Sequence, residues 1–381
     1  MSPTRRSPRR TTPWTAMALL SLSVMTVTIL SCKKGPPPPP APKEPAILFP
    51  IKQSGGSGYI DQTGALVIPV KFDAAFEFSE GLAKVKLDGK WGFIDKSGDI
   101  VIPAQFDEAW SFSDGLAVIK SGGKWGYIDK TGNAAIPPQY DEAWAFSEGF
   151  AKVKSGRRWC FIDKTGRFIC KKKFDDVWPF TEGLAAVNDG NKWGFIDRNG
   201  RFVISPTFDF VSEFSEGLAV VNAGDKWGYI NSSGTYVIKP QFVNAGRFSN
   251  GLAKITRKNK MGFIDKTGEI VIPATYDDAS DFSEGLAKVK SGRQCLFIDL
   301  KGQPVGTNRF DIAFDFHDGV ALVNNGGAWG YIDKTGHTIA EPQYDIAFDF
   351  RDGLAMVNKG DQWLYIDKTG KTVWSSAGNP S

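Results

Sequence analysis

Between Ala46 and Trp374 the apolar and polar positions repeat every 34 residues, with no insertion or deletion. Trp91, Trp125, Trp159, Trp193 and Trp227 mark one slot, and Trp329 and Trp363 return to it. Met261 and Cys295 fill that slot in two copies. With a weaker first copy at Gly58-Tyr-Ile-Asp-Gln-Thr-Gly64, the count is ten. A fixed period of this kind marks a repeat architecture, in which small units gain a core only from their neighbours.

Within a unit the alternation predicts three strands, at Leu116–Lys120, Lys124–Asp129 and Asn133–Ile136, joined by tight turns. Asp-Lys-Thr-Gly suits a three-residue hairpin loop with a type I turn and a bulge at the glycine, whose φ is positive. That loop sets a register with Ile94 opposite Ile100, Phe93 opposite Val101 and Gly92 opposite Ile102. Both faces of the small sheet are then apolar, so both must be covered. The same register brings Cys160 opposite Cys170, and Leu296 (a Gly elsewhere) opposite Gly306 (usually Ile). In the tenth unit it sets Leu364 against Trp374, a poor fit.

Between units runs a polar, glycine-punctuated connector, unsuited to a long helix. Its Phe recurs from Phe78 through Phe350 and is expected to plug between successive sheets. The fold class is therefore all-β: tandem 34-residue three-stranded meanders from 46 to 375, stacked as an open β-superhelix. A large β-propeller is the alternative, because periodicity does not fix the rotation per unit.

The block Trp-Gly-Phe/Tyr-Ile-Asp-Lys-Thr-Gly, followed by Phe-Asp-x-Ala-x-x-Phe-Ser-Glu-Gly-Leu-Ala, resembles the bacterial WG-repeat family. The resemblance implies all-β repeat proteins that are often surface-linked, with no general catalytic role for the repeat.

The N-terminus changes the charge picture. Arg5, Arg6, Arg9 and Arg10 precede an uncharged, mostly apolar run from Trp14 to Leu30, and Ser31-Cys32 follows. This pattern predicts a lipoprotein-type signal over 1–31, with Cys32 taking the lipid. A membrane-spanning anchor is the rival, at the short end of the length required. The chain has 46 basic and 42 acidic residues, so losing the four leader arginines leaves 42 of each. Nothing global then favours nucleic acid. Residues 32–45 are proline-rich and suit a stiff tether, and 376–381 form a short tail.

Candidate chemistry is sparse. Asp61, Asp95 and their copies open the hairpin turn, where Asn231 substitutes once, as expected for side chains bonding backbone two residues on. A second series, Glu80, Asp114, Glu148 and onward, could meet the Asp73 and Asp107 series in a shared Ca²⁺ site, with turn formation or capping as the alternative. No acid pair stands apart for glycoside hydrolysis. His317 and His337 sit in slots held by other residues elsewhere, so a nucleophilic triad lacks a base and zinc lacks ligands. No enzyme, metal or cofactor is expected. Cys160 and Cys170 are predicted to form a disulfide in an oxidising compartment, and Cys295 to be a buried apolar residue. The Trp slot reads as repeat core, whereas Trp110, Trp144 and Trp178 share a variable connector slot that could form a binding surface. The expected function is an envelope-anchored array that binds or scaffolds protein partners. The alternative is a cell-wall carbohydrate module using repeated aromatics.

Overall fold

The structure, a computed structural model, describes residues 47–377. The leader with Cys32, the proline-rich tether and the end of the tail lie outside the described residues. Every regular element within them is a β-strand.

The second unit shows the plan. Ala74–Ser79, Leu82–Leu87, Lys90–Ile94 and Ile100–Phe106 form one antiparallel sheet in chain order. The connector is thus not a bare link: its start pairs as a short extra strand. In the third unit this strand is Glu108–Ala109, fixed by Asp107 N to Lys120 O (3.0 Å) and Trp110 N to Val118 O (2.9 Å). Eight sheets are four-stranded in this way, and two have three strands.

The Asp-Lys-Thr-Gly hairpin forms as the sequence predicts. Asp95 N donates to Asp99 O and Gly98 N to Asp95 O, both at 3.0 Å, with Gly98 at φ 87°. Ile94 faces Ile100, as expected, but the register then slips and Phe93 faces Ile102, not Val101. Gly92 explains the rest. A Cβ there would lie 2.6 Å from the Ile102 carbonyl oxygen and 2.7 Å from Ala104 N. The strand folds over the glycine at Pro103, a residue with no N–H to give a ladder, and resumes with Phe106 opposite Trp91. The bulge turns Ile100 and Val101 outward, 52% and 39% exposed, so that part of the sheet face is not covered. Phe93, Ile94 and Ile102 are fully buried instead.

The same bulge revises the other two pairings. In the tenth unit Tyr365, not Leu364, faces Trp374. In the eighth, Phe297 pairs with Val305. Gly306 adopts φ 65°, and a Cβ on it would sit 3.3 Å from Gly336 Cα of the next unit. In the fourth unit Cys160 fills the glycine slot, and the strand that should cover it dissolves. Only the bridges Trp159–Phe174 and Ile162–Phe168 remain.

The connector phenylalanines do plug between sheets. Phe112 packs on Phe93 of the preceding unit at 4.9 Å, and Phe146 on Tyr127 at 4.8 Å. All nine units with such a Phe share this design, and Phe112 through Phe350 are buried. Each hairpin glycine also meets the third strand of the preceding unit: Gly98 lies against Ile68, Gly132 against Ile102, Gly268 against Ile238.

That contact closes the molecule. Gly64 of the first unit lies against Val373 and Trp374 of the last, and Trp374 occupies the slot held by Ile68 in the first unit. One cluster joins Phe49, Ile51 and Ile60 with Leu354, Tyr365 and Trp374. Tyr365 OH donates to Pro50 O at 2.8 Å, and Gln62 Nε2 to Asp352 O at 3.1 Å. The chain is a ten-bladed β-propeller. The open superhelix does not form, because the ends meet through the same contact that joins every interior pair of blades.

Candidate functional site

The acids resolve into two separate devices. In the hairpin turns Asp95 Oδ1 accepts from Ser97 N (2.9 Å), Ser97 Oγ (2.5 Å) and Asp99 N (3.1 Å). Asn231 does the same with Ser233 and Thr235. The Ser97 hydroxyl, first of all, holds the Asp95 carboxyl below its ordinary range.

The second series sits in a two-residue turn between the short strand and the first long one. Glu80 and Gly81 both have positive φ, 52° and 91°, as a type I′ turn requires. The left-handed region disfavours Glu, at roughly 1–2 kcal/mol. The carboxylate offsets that by reaching the next blade: Glu80 Oε2 accepts from Gly115 N at 3.1 Å and meets Lys130 Nζ at 3.1 Å. Asp114 with Lys164, Glu148 with Arg198 and Asp318 with Lys368 repeat the pairing. In each of these three the cation's hydrogen bond is the main reason the carboxyl is held low. Where the acid becomes Asn250, the residue in the cation slot becomes Leu300. The Asp107 series instead binds within its own region, to Lys90 Nζ (2.6 Å) and Gly122 N (3.1 Å). The two series therefore do not converge. Among the described residues no cluster of three or more His, Cys, Asp or Glu could hold a metal ion. His337 is an exposed turn residue hydrogen-bonded to Thr335, and His317 stands in a slot that is Ser in several sister blades.

The tryptophans divide by slot. Trp193 is buried; Trp91, Trp125, Trp159, Trp227, Trp329 and Trp363 are half-buried at the edge of the inter-blade cores. Cys295 in that slot is buried. The connector slot is more exposed: Trp110 36%, Trp144 44% and Trp178 38%. Phe76, Phe314 and Phe348 share it and are exposed as well. Two equivalent rings of adjacent blades touch here, Trp110 and Trp144 at 5.6 Å. Because the ring is closed, Phe314 and Phe348 belong with Phe76, Trp110, Trp144 and Trp178 in an aromatic arc that spans the seam, interrupted only at the first blade. Lys84 Nζ lies 4.2 Å from the Phe76 ring and Lys152 Nζ 4.1 Å from Trp144. Burial lowers the pKa of both ammoniums. Tyr127 OH pins the Trp144 carbonyl at 2.9 Å, and Tyr331 OH that of Phe348 at 2.7 Å.

The arc stops at three blades where the slot holds Ser212, Gly246 and Ser280. A hollow of about 500 Å³ opens there, with Trp178, Phe210 and Trp227 on its wall. Its polar groups form two ion pairs, Arg247 with Glu213 (2.9 Å) and Lys254 with Asp281 (3.4 Å). Neither the hollow nor the length of the arc is legible from one repeat. Both need the copies compared slot by slot around a closed ring.

Cys160 and Cys170 are buried free thiols with sulfurs 3.1 Å apart. The S–H of Cys160 directed at Cys170 raises the first pKa and lowers the second.

The WG containing repeat matches nine successive stretches, 58–91, 91–125, 125–159, 159–193, 193–227, 227–260, 261–293, 297–327 and 329–363. No curated protein matches significantly. A crystal structure of a eukaryotic initiation factor is similar at a TM-score of 0.52, with 11% identity over 87% of this chain and 95% of that one. The extracellular domain of a putative one-component system from B. thetaiotaomicron overlaps less well, at a TM-score of 0.32 and 10% identity over 84% of this chain and 64% of that one.

Proposed function

Since the chain belongs to the WG containing repeat family and closes as a propeller, we propose that it is a non-catalytic binding ring, displayed on a lipid anchor at Cys32 in the bacterial cell envelope, that holds a protein partner on its aromatic arc. The observation that carries this is the run of exposed rings from Phe314 across the seam to Trp178. Exposed aromatics set on a rigid frame give contact area at little entropic loss, the feature that makes them interface anchors. The packing favours a protein over a glycan on this arc. Trp110 and Trp144 meet edge to face at 73°, and the faces of Phe76 and Trp144 are already capped by Lys84 and Lys152. Those faces are thus taken, while ring edges and ammonium groups suit an apolar segment flanked by acids.

The test uses the full-length chain and an array of extended peptides carrying an apolar core flanked by acidic residues. Binding should quench tryptophan emission, and Trp110→Ala with Trp144→Ala should weaken it at least tenfold. Equal affinity in that double variant removes the arc from the reading. The anchor is checked separately: labelled fatty acid should enter the wild type and not Cys32→Ser.

Export also bears on the thiols. In an oxidising compartment Cys160 and Cys170 would close to a disulfide, losing two protons and giving two electrons to a disulfide-type oxidant. Thiol titration of the unfolded, acylated protein should then find only Cys295; three free thiols would count against it.

A further inference from the structure

From the hollow beneath the interrupted arc we infer a second binding site, one that takes a single neutral sugar ring. In units 3 to 5 the connector slot holds Trp110, Trp144 and Trp178; at units 6 to 8 it holds Ser212, Gly246 and Ser280. The supporting frame is unchanged. Lys254 stands in the slot of Lys84 and Lys152, and Tyr229 OH pins the Gly246 carbonyl at 2.9 Å, as Tyr127 pins that of Trp144. The indole is missing, and although the Lys254 stem lies 2.7 Å from where a Cβ on Gly246 would stand, the blades leave a hollow there. The resulting cavity of about 500 Å³ falls within the range of small-ligand pockets, roughly 300–1,000 Å³.

The wall chemistry selects the ligand. Aromatic surface comes from Trp178, Phe210 and Trp227, with Phe210 set against Trp227 at 5.7 Å and 64°. In contrast to Phe76 and Trp144, none of these rings carries a lysine ammonium over its face among the described residues. Trp178 and Phe210 also pack on Trp193. The aromatic surface left toward the hollow, free of ammonium caps, suits the weakly positive C–H face of a pyranose. The polar groups are balanced, two cations against two carboxylates. An ionic ligand would have to break an existing pair and leave one charge unmatched. Hydroxyls can join such pairs without displacing them, since each hydroxyl both donates and accepts. One acceptor is waiting: Asp281 Oδ1 is shielded from solvent and has no hydrogen-bond partner, with Lys254 Nζ at 3.4 Å out of hydrogen-bond geometry. A flat, neutral, polyhydroxylated ring fits this set better than a peptide, a phosphate or a quaternary ammonium.

The experiment is calorimetric titration of the full-length chain with cellotetraose, chitotetraose and maltotetraose, with phosphocholine and a galacturonic acid tetramer as charged comparators. At least one neutral sugar should bind saturably and both charged probes at least tenfold more weakly. Ser212→Trp rebuilds the side chain that units 3 to 5 carry in this slot, so the ring keeps its fold while the cavity fills; affinity should fall at least tenfold. Asp281→Asn removes the waiting acceptor charge without changing volume and should fall likewise. Trp144→Ala, on the arc and outside the cavity, should stay within twofold of wild type, which separates this site from the protein-binding reading. No neutral sugar bound by the wild type, preference for a charged probe, unchanged affinity in either cavity variant, or loss in Trp144→Ala would each overturn the assignment.

Discussion

Units 2 to 5 and units 6 to 8 share one backbone plan and one kind of core, yet they present opposite surfaces. In the first group the connector slot carries Phe76, Trp110, Trp144 and Trp178, and exposed rings stand out from the surface. In the second it carries Ser212, Gly246 and Ser280, and the surface is hollowed. The cores beneath barely differ: Phe146 is 1% exposed in one group and Phe248 1% in the other. Repetition therefore secures the fold in every blade and leaves one exposed slot per blade free to vary. A closed array can be patterned around its circumference without touching what holds it together.

The largest test of that comparison is the shared core. Phe146→Ala and Phe248→Ala should each cost about 3–5 kcal/mol, because a buried ring is lost between two blades that cannot close up. Chemical denaturation should give similar losses for both; a much smaller loss at Phe248 would mean that the hollowed side is already loosely packed. Next comes Cys160. Replacing the pair by the common residues, Cys160→Gly with Cys170→Ile, should restore the missing strand of the fourth blade, seen as slowed amide exchange over 168–174.

Acid should loosen the ring by a lesser amount. Asp114, Glu148 and Asp318 have carboxyls held below their ordinary pKa by cations of the next blade. A depressed carboxyl contributes stability that is complete above its unfolded value, about 4, and is lost as pH falls through the lower folded value. The melting temperature should thus drop below about pH 4, and high salt should blunt the change. Smallest is the missing lock on the hollowed side. Asn250→Asp with Leu300→Lys should add the pairing found elsewhere and gain less than about 1 kcal/mol, as exposed pairs do. A double-mutant cycle by thermal melting reads it, and no coupling would show that geometry at this junction differs.

Much of the blade was legible in the chain. Asp-Lys-Thr-Gly specifies its hairpin because Gly98 and its copies need positive φ, and the recurring Phe announced plugs that the structure finds 4.8 Å (Phe146) to 5.2 Å (Phe78) from their aromatic partners. The register beyond Ile94 departs from simple alternation because Gly92 and Pro103 act together. Gly92 opposite a strand that contains Pro103 means a bulge, since proline cannot feed the ladder and only glycine lets the carbonyl of Ile102 approach. The acids of the Glu80 series looked like turn formers or Ca²⁺ ligands, and they are turn residues whose carboxylates bind the following blade.

By itself the sequence determined the period, the all-β character, the turns and the positions that must be apolar, because these follow from spacing and backbone chemistry within one repeat. It also recorded the exchange of Asn250 with Leu300, visible once the spacing is known. Tertiary structure alone decided the closure, since the rotation per unit is a small angle summed over ten blades and no local pattern encodes it. Closure in turn brought Trp374 against Gly64, set Phe348 and Phe76 on either side of the seam, and left the hollow between Trp178 and Asp281 where the exposed rings stop.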